Sequence, residues 1–185
     1  MISVGDLRKG VTFESDGQIW RVLEYEHYKP GRGNAIIRTK LRNLRTGATV
    51  SRNFLSGDKV QDIRLDHKTV QYMYNDDEFY YFMDLETYEQ PALPKAVLED
   101  VIPYLKEGTT LDIEMYEGEP IDIEMPLTVD LRVEDAPPGY AGDTATAATK
   151  EATLETGLKI QVPLFVQPGD VVRVDTRTGE YLTRV

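Results

Sequence analysis

Turn dipeptides punctuate this chain at short intervals: Asp16-Gly17, Thr46-Gly47, Ser56-Gly57, Glu107-Gly108, Glu117-Gly118, Thr156-Gly157, Pro168-Gly169 and Thr178-Gly179. Between them lie short runs in which apolar and polar residues alternate. A period of two in runs this short commits the backbone to strands and tight reversals, the pattern of small β-barrels. The alternation is almost unbroken from Leu111 to Val133, with Met125-Pro126 marking a strand boundary or domain joint and Leu127, Val129, Leu131 and Val133 forming one apolar face. Ala136-Pro137-Pro138-Gly139 stops that strand, and strand-like runs return at 158–166, 170–175 and 180–184. A chain of 185 residues accommodates one domain or up to three of roughly 60 residues each. Boundaries near 64 and 127 give three barrels, 1–64, 65–127 and 128–185. One helix is expected between Pro94 and Glu107, where Val97, Leu98, Val101, Ile102 and Leu105 follow helical spacing, Pro94 suits a first turn and Pro103 kinks or tightens the end.

Charge is sorted along the chain. Residues 1–64 carry 12 Lys/Arg against 7 Asp/Glu, residues 65–127 carry 3 against 16, and residues 128–185 carry 6 against 9. From His27 to Gly57 there is no carboxylate, while Lys29, Arg32, Arg38, Lys40, Arg42, Arg45 and Arg52 are all present. A basic block on a body of net charge -11 suggests a polyanion held at one end only. An ordinary solvated basic face is the competing reading. Within the block, Lys29-Pro30-Gly31-Arg32-Gly33-Asn34 reads as the tip of a hairpin with Arg32 at its apex. Strand alternation over 35–43 then sets Arg38, Lys40 and Arg42 on one face and Ile37, Thr39 and Leu41 on the other.

Catalytic constellations are scarce. The chain has no cysteine, which removes disulfides, thiolate nucleophiles and cysteine zinc sites and suits a reducing cytosol. Its two histidines, His27 and His67, lack ligand spacing and read as surface residues. Asp112, Glu114, Asp122 and Glu124 sit at two-residue spacing on strands, which reads as a solvated sheet face rather than a metal site. Gly31-Arg32-Gly33 lacks the Lys-Ser/Thr of a phosphate-binding loop. Tyr72, Tyr74, Phe79 and Tyr81, on a hairpin across Asn75-Asp76-Asp77-Glu78, resemble a base-stacking platform, yet the adjacent carboxylates repel phosphate and core packing is the expectation. No cofactor, metal or membrane partner is expected, and the absence of a leader-like amino terminus or long apolar run points to a cytoplasmic protein.

The tip sequence Lys29-Pro-Gly-Arg-Gly-Asn-Ala35 and the basic strand after it resemble the first-domain tip loop of the bacterial translation elongation factor P family. The carboxyl third is a more specific match: Ala136-Pro-Pro-Gly139, Gly142-Asp-Thr-Ala145, Lys150-Glu-Ala-Thr-Leu-Glu-Thr-Gly157, Val162-Pro163, Gly169-Asp170 and Val174-Asp-Thr-Arg-Thr-Gly-Glu-Tyr181. The resemblance spans the whole chain. It implies an SH3-like barrel followed by two OB folds in an L that mimics tRNA, and a non-enzymatic factor that binds the 70S ribosome between the peptidyl and exit sites. Such factors relieve stalling at consecutive prolines by promoting peptide-bond formation. Arg32 would then reach the CCA end of the peptidyl-tRNA. Arg38, Lys40 and Arg42 would grip tRNA or ribosomal RNA backbone, and Gly142, Asp143 and Thr144 would face the exit-site mRNA codon. The family's Lys-Pro-Gly-X-Gly context usually surrounds a tip lysine extended by β-lysyl, whereas tip arginines, extended by rhamnosyl, often have other flanks. Arg32 combines the first context with the second residue, so an arginine-modifying enzyme joins the expected partners alongside a bare guanidinium with five donors. A paralogue with different stalling sequences and a generic OB-fold RNA binder are the alternatives.

Overall fold

The computed structural model describes residues 1–139 and 148–185. Sixteen strands are found among them, in three antiparallel sheets. The first sheet contains β1 (Ile2–Ser3), β2 (Thr12–Ser15), β3 (Gln18–Tyr28), β4 (Ile36–Asn43), β5 (Thr49–Leu55) and β6 (Lys59–Asp62), in the order β1-β6-β2-β3-β4-β5. Alternation along β4 buries Ile37, Thr39 and Leu41 and turns Arg38 and Lys40 outward, as the sequence predicts. Thr39 is accommodated inside because its hydroxyl donates to the Arg52 carbonyl at 2.8 Å. Phe13 and Phe54 meet edge to face, with centroids 6.2 Å apart, beside Val4, Leu7, Val22 and Val60.

The second sheet holds β7 (Asp66–Asn75), β8 (Phe79–Asp84), β9 (Ala92–Pro94), β10 (Thr110–Tyr116) and β11 (Glu119–Glu124), in the order β11-β10-β7-β8-β9. The third holds β12 (Thr128–Asp135), β13 (Thr149–Leu154), β14 (Lys159–Pro163), β15 (Val171–Asp175) and β16 (Tyr181–Arg184), in the order β14-β13-β12-β15-β16. Each sheet closes over its own core, and the second and third share one strand order, with the first strand central and the fourth returning beside it, the Greek-key plan of OB-type barrels.

Three sequence expectations need correction. The segment from Pro94 to Glu107 is not an α-helix: it forms two 3₁₀ turns, Lys95–Val97 and Ile102–Tyr104. Pro103 has no N–H to continue an i→i−4 ladder, and its ring crowds the preceding turn. The apolar spacing is nonetheless used, since Val97, Leu98 and Leu105 are buried in the second core. The aromatic hairpin splits between two faces, because a bulge between Tyr72 and Tyr74 turns the strand over. Tyr72 packs inside with Tyr80 and Phe82, while Tyr74 and Tyr81 stack outside at 4.7 Å. Burial pushes the Tyr72 hydroxyl up to about 12, with Tyr80 and Glu107 adding to the effect. Finally, Glu114 and Asp122 are not solvated: each is 7% exposed.

Those two carboxylates lie at the joint between the first and second barrels. Ile19 and Leu44 of the first pack there against Ile121 of the second. The turn from β4 to β5 is built by Asn43, whose side-chain oxygen accepts from the N–H groups of Arg45 and Thr46 at 2.9 and 3.1 Å. This turn brings Gly47, at φ +78°, against the Lys95–Val97 turn, where an added Cβ would lie 2.3 Å from the Ala96 carbonyl oxygen. Gly47→Ala therefore combines left-handed strain with a backbone clash, and is expected to destabilise the protein by about 2–4 kcal/mol in urea unfolding. A loss below about 0.5 kcal/mol would show that the 95–97 turn gives way freely.

The second joint is built the same way. Met125 packs against both the second and third cores, and Tyr104 of the second barrel reaches the third. Thr156 donates to the Pro103 carbonyl at 2.5 Å, Thr176 donates to the Pro126 carbonyl at 2.6 Å, and Lys106 pairs with Glu155 at 3.6 Å.

Candidate functional site: the cationic finger

β3 is 11 residues long, and β4 follows it back over 8, with Tyr28 opposite Ile36 at the open end. The seven residues from Lys29 to Ala35 close this hairpin. Lys29, Gly31, Arg32, Gly33 and Asn34 are exposed, and Pro30 is partly covered. Gly33 sits at φ +133°, a conformation that side chains resist, which is why the chain can reverse there. Nothing lies within 4 Å of where a Cβ would stand on Gly31 or Gly33, so backbone flanks Arg32 on both sides without obstruction.

Below the tip, the basic block loses its isolation. Glu26 stands opposite Arg38 and Glu24 opposite Lys40, with charged atoms 3.8 and 3.6 Å apart. The Tyr28 ring also lies 4.4 Å from the Arg38 guanidinium carbon. Arg52 pairs with Asp16 at 3.6 Å. Arg42 pairs with Asp100, and Arg45 with Glu119 at 3.4 Å, both across the first joint. Of the seven cations between residues 27 and 57, only Lys29 and Arg32 have no carboxylate within 4 Å among the described residues. The free positive charge is thus concentrated at the apex. Arg38 and Lys40 are half-exposed, and Arg42 is largely covered by its bond across the joint.

Sequence reasoning missed Arg21. Its guanidinium leaves the first barrel and forks between Glu114 and Asp122, lying 2.5 Å from the Asp122 carboxylate. Burial pushes the Asp122 carboxyl up to about 6, against the opposing pull of Arg21. The available signal was Arg21's place in an alternating strand, at the position where a side chain leaves the barrel core. His27 is exposed, and His67 is exposed with its Nδ1 3.6 Å from Glu124. The ligand atoms of His67, Glu114 and Glu124 lie within 4.8 Å of one another, but Glu114 is already engaged by Arg21. Gly142, Asp143 and Thr144 lie outside the described residues. No helix among the described residues is long and apolar enough to cross a membrane.

One SH3-like barrel carrying a projecting cationic hairpin, followed by two OB-type barrels, defines a class of serial β-barrel proteins built around a charged finger. Family models described as the elongation factor P KOW-like domain, OB domain and C-terminal domain match residues 3–60, 65–123 and 129–184 in turn. The chain belongs to the elongation factor P family, and is a translation elongation factor rather than a classical enzyme. Elongation factor P from Moorella thermoacetica is 53% identical over 184 residues, and that from Thermoanaerobacter sp. is 50% identical over 185. Both comparisons cover 100% of this chain and of the relative. Among solved structures, eukaryotic translation initiation factor 5A from Methanococcus jannaschii is 25% identical, covering 66% of this chain and 90% of that one with a TM-score of 0.49.

Proposed function

We propose that this protein binds the 70S ribosome between the peptidyl and exit sites, sets Arg32 against the CCA end of the peptidyl-tRNA, and stimulates peptide-bond formation at consecutive prolines. The observation that carries this reading is the confinement of carboxylate-free cations to the apex of a long hairpin. Proline is a constrained donor and a poor nucleophile, so its slow bond gains from positioning alone, without a general base or a metal. A guanidinium between two glycines can approach phosphates or sugar hydroxyls closely, and its planar fork fixes direction as well as distance. Lys29 adds a second charge beside it, and Pro30, Gly31, Gly33 and Asn34 shape the approach.

On this reading Arg38 and Lys40 lie along tRNA or ribosomal RNA backbone, with Arg42 at the base of the same row. The three barrels act as units of 1–64, 65–127 and 128–185 in an L that mimics tRNA, and Gly142, Asp143 and Thr144 face the exit-site codon. An enzyme that extends Arg32 would lengthen the finger's reach without changing its base. The test is peptide formation on purified ribosomes programmed with a proline-run message and with a proline-free one. The protein is expected to accelerate the first and leave the second unchanged. Equal rates with and without it on the proline run would refute the proposal.

A further inference from the structure

The cationic row of β4 is flanked unequally. Toward β5 its neighbours are neutral, with Asn53 opposite Arg38 and Ser51 opposite Lys40. Toward β3 the neighbours of Arg38 and Lys40 are carboxylates, Glu26 and Glu24, while Arg42 at the base of the row faces Arg21. This acidic flank depends on one irregularity of the backbone. Val22 pairs with Leu41, but Glu24 rather than Leu23 pairs with Lys40, so Leu23 is the extra residue of a bulge. Without the bulge Glu24 would stand opposite Thr39, whose side chain is buried, and the strand's carboxylates would face the core. The bulge turns them onto the outer face, beside Lys40 and Arg38.

We infer that Glu24 and Glu26 are built-in counterions that keep the cationic row from holding RNA by itself, so that stable engagement requires the tip as well. The inference rests on the RNA-facing reading of the finger given above. Exposed ion pairs at these separations are weak, and a phosphate presented in the right place can displace the carboxylate. A phosphate that meets the row alone must do so with no compensating contact. One that arrives while Lys29 and Arg32 are engaged gains those contacts too. The carboxylates thereby act as specificity-determining residues, biasing the protein against the large pool of free RNA.

The test compares three double variants with the parent: Glu24→Gln/Glu26→Gln, the charge-retaining Glu24→Asp/Glu26→Asp, and Arg38→Ala/Lys40→Ala. Binding of free bulk tRNA is measured across a salt series, binding to purified ribosomes is measured for each variant, and proline-run peptide formation is measured with and without excess free tRNA. The glutamine pair is expected to bind free tRNA about tenfold more tightly, with a salt dependence steeper by about one to two phosphate contacts. Its stimulation of proline-run synthesis should become sensitive to the competitor, while the aspartate pair behaves like the parent. Unchanged affinity and salt slope in the glutamine pair would overturn the inference, provided the alanine pair weakens ribosome binding. If the alanine pair binds ribosomes as the parent does, the RNA-facing reading of the row fails, and this inference with it.

Discussion

Arg32→Ala is expected to slow proline-run synthesis by at least about tenfold, equivalent to some 1.4 kcal/mol of barrier, while its urea midpoint matches the parent's. The two halves of that expectation have separate origins. Stability should not move, because Arg32 is exposed, has no carboxylate partner among the described residues, and is flanked by glycines with open space around them. Activity should fall, because on our proposal no other side chain reaches as far from the barrel. Arg32→Lys should fall between the two, keeping the charge and losing the planar fork. The measurement is single-turnover peptide formation on purified ribosomes, paired with a denaturation curve for each variant. Undiminished rates in the alanine variant would remove the tip from the mechanism.

Arg21→Met should be the most destabilising single change at the first joint, by about 3–5 kcal/mol near pH 7.5, because it strands Glu114 and Asp122 together in a buried site. The pH dependence has a definite sign. The Asp122 carboxyl, raised by burial to about 6 from an ordinary value of 3.8, keeps its proton in the folded protein over a range where the unfolded chain has lost it. Its contribution to stability is therefore greatest at or below pH 3.8, and declines as pH rises toward 6. Above that it stays at its lower level. Removing Arg21 removes a cation that favours the charged form, so the decline should extend to higher pH in the variant. The gap between Arg21→Met and the parent should accordingly narrow between pH 7.5 and 5.5 in urea titrations. A gap below about 1 kcal/mol, or one indifferent to pH, would mean that water and local rearrangement screen the pair.

Strand period and turn chemistry made most of the fold legible. The dipeptides at Asp16-Gly17, Thr46-Gly47 and Glu117-Gly118 each close a hairpin, and alternation along β4 correctly separates Ile37, Thr39 and Leu41 from Arg38 and Lys40. What was hidden depends on departures from that period, or on partners distant in sequence. A bulge beside Tyr72 reverses the faces of the aromatic strand, and another at Leu23 sets Glu24 and Glu26 beside the cations they neutralise. Helical spacing from Val97 to Leu105 reports burial correctly, but spacing alone does not count the hydrogen bonds that Pro103 cannot make. Alternation at Asp112, Glu114, Asp122 and Glu124 cannot show that an arginine more than 90 residues earlier covers two of the four. The apparent absence of acid between His27 and Gly57 was real in the chain. In space, Asp16, Glu24, Glu26, Asp100 and Glu119 supply the missing counter-charges.

The two joints give the finger's length a particular standing. Ile19, Leu44 and Ile121 close one, Met125 and Tyr104 close the other, and neither can bend far without wetting apolar side chains. Reach is therefore written in the chain as a residue count, near 3.4 Å for each residue added to both β3 and β4. Among substitutions at the tip, many chemistries can be exchanged at constant gauge. An insertion or deletion in the hairpin resets the gauge itself, and the two packed joints resist the bending that would restore it.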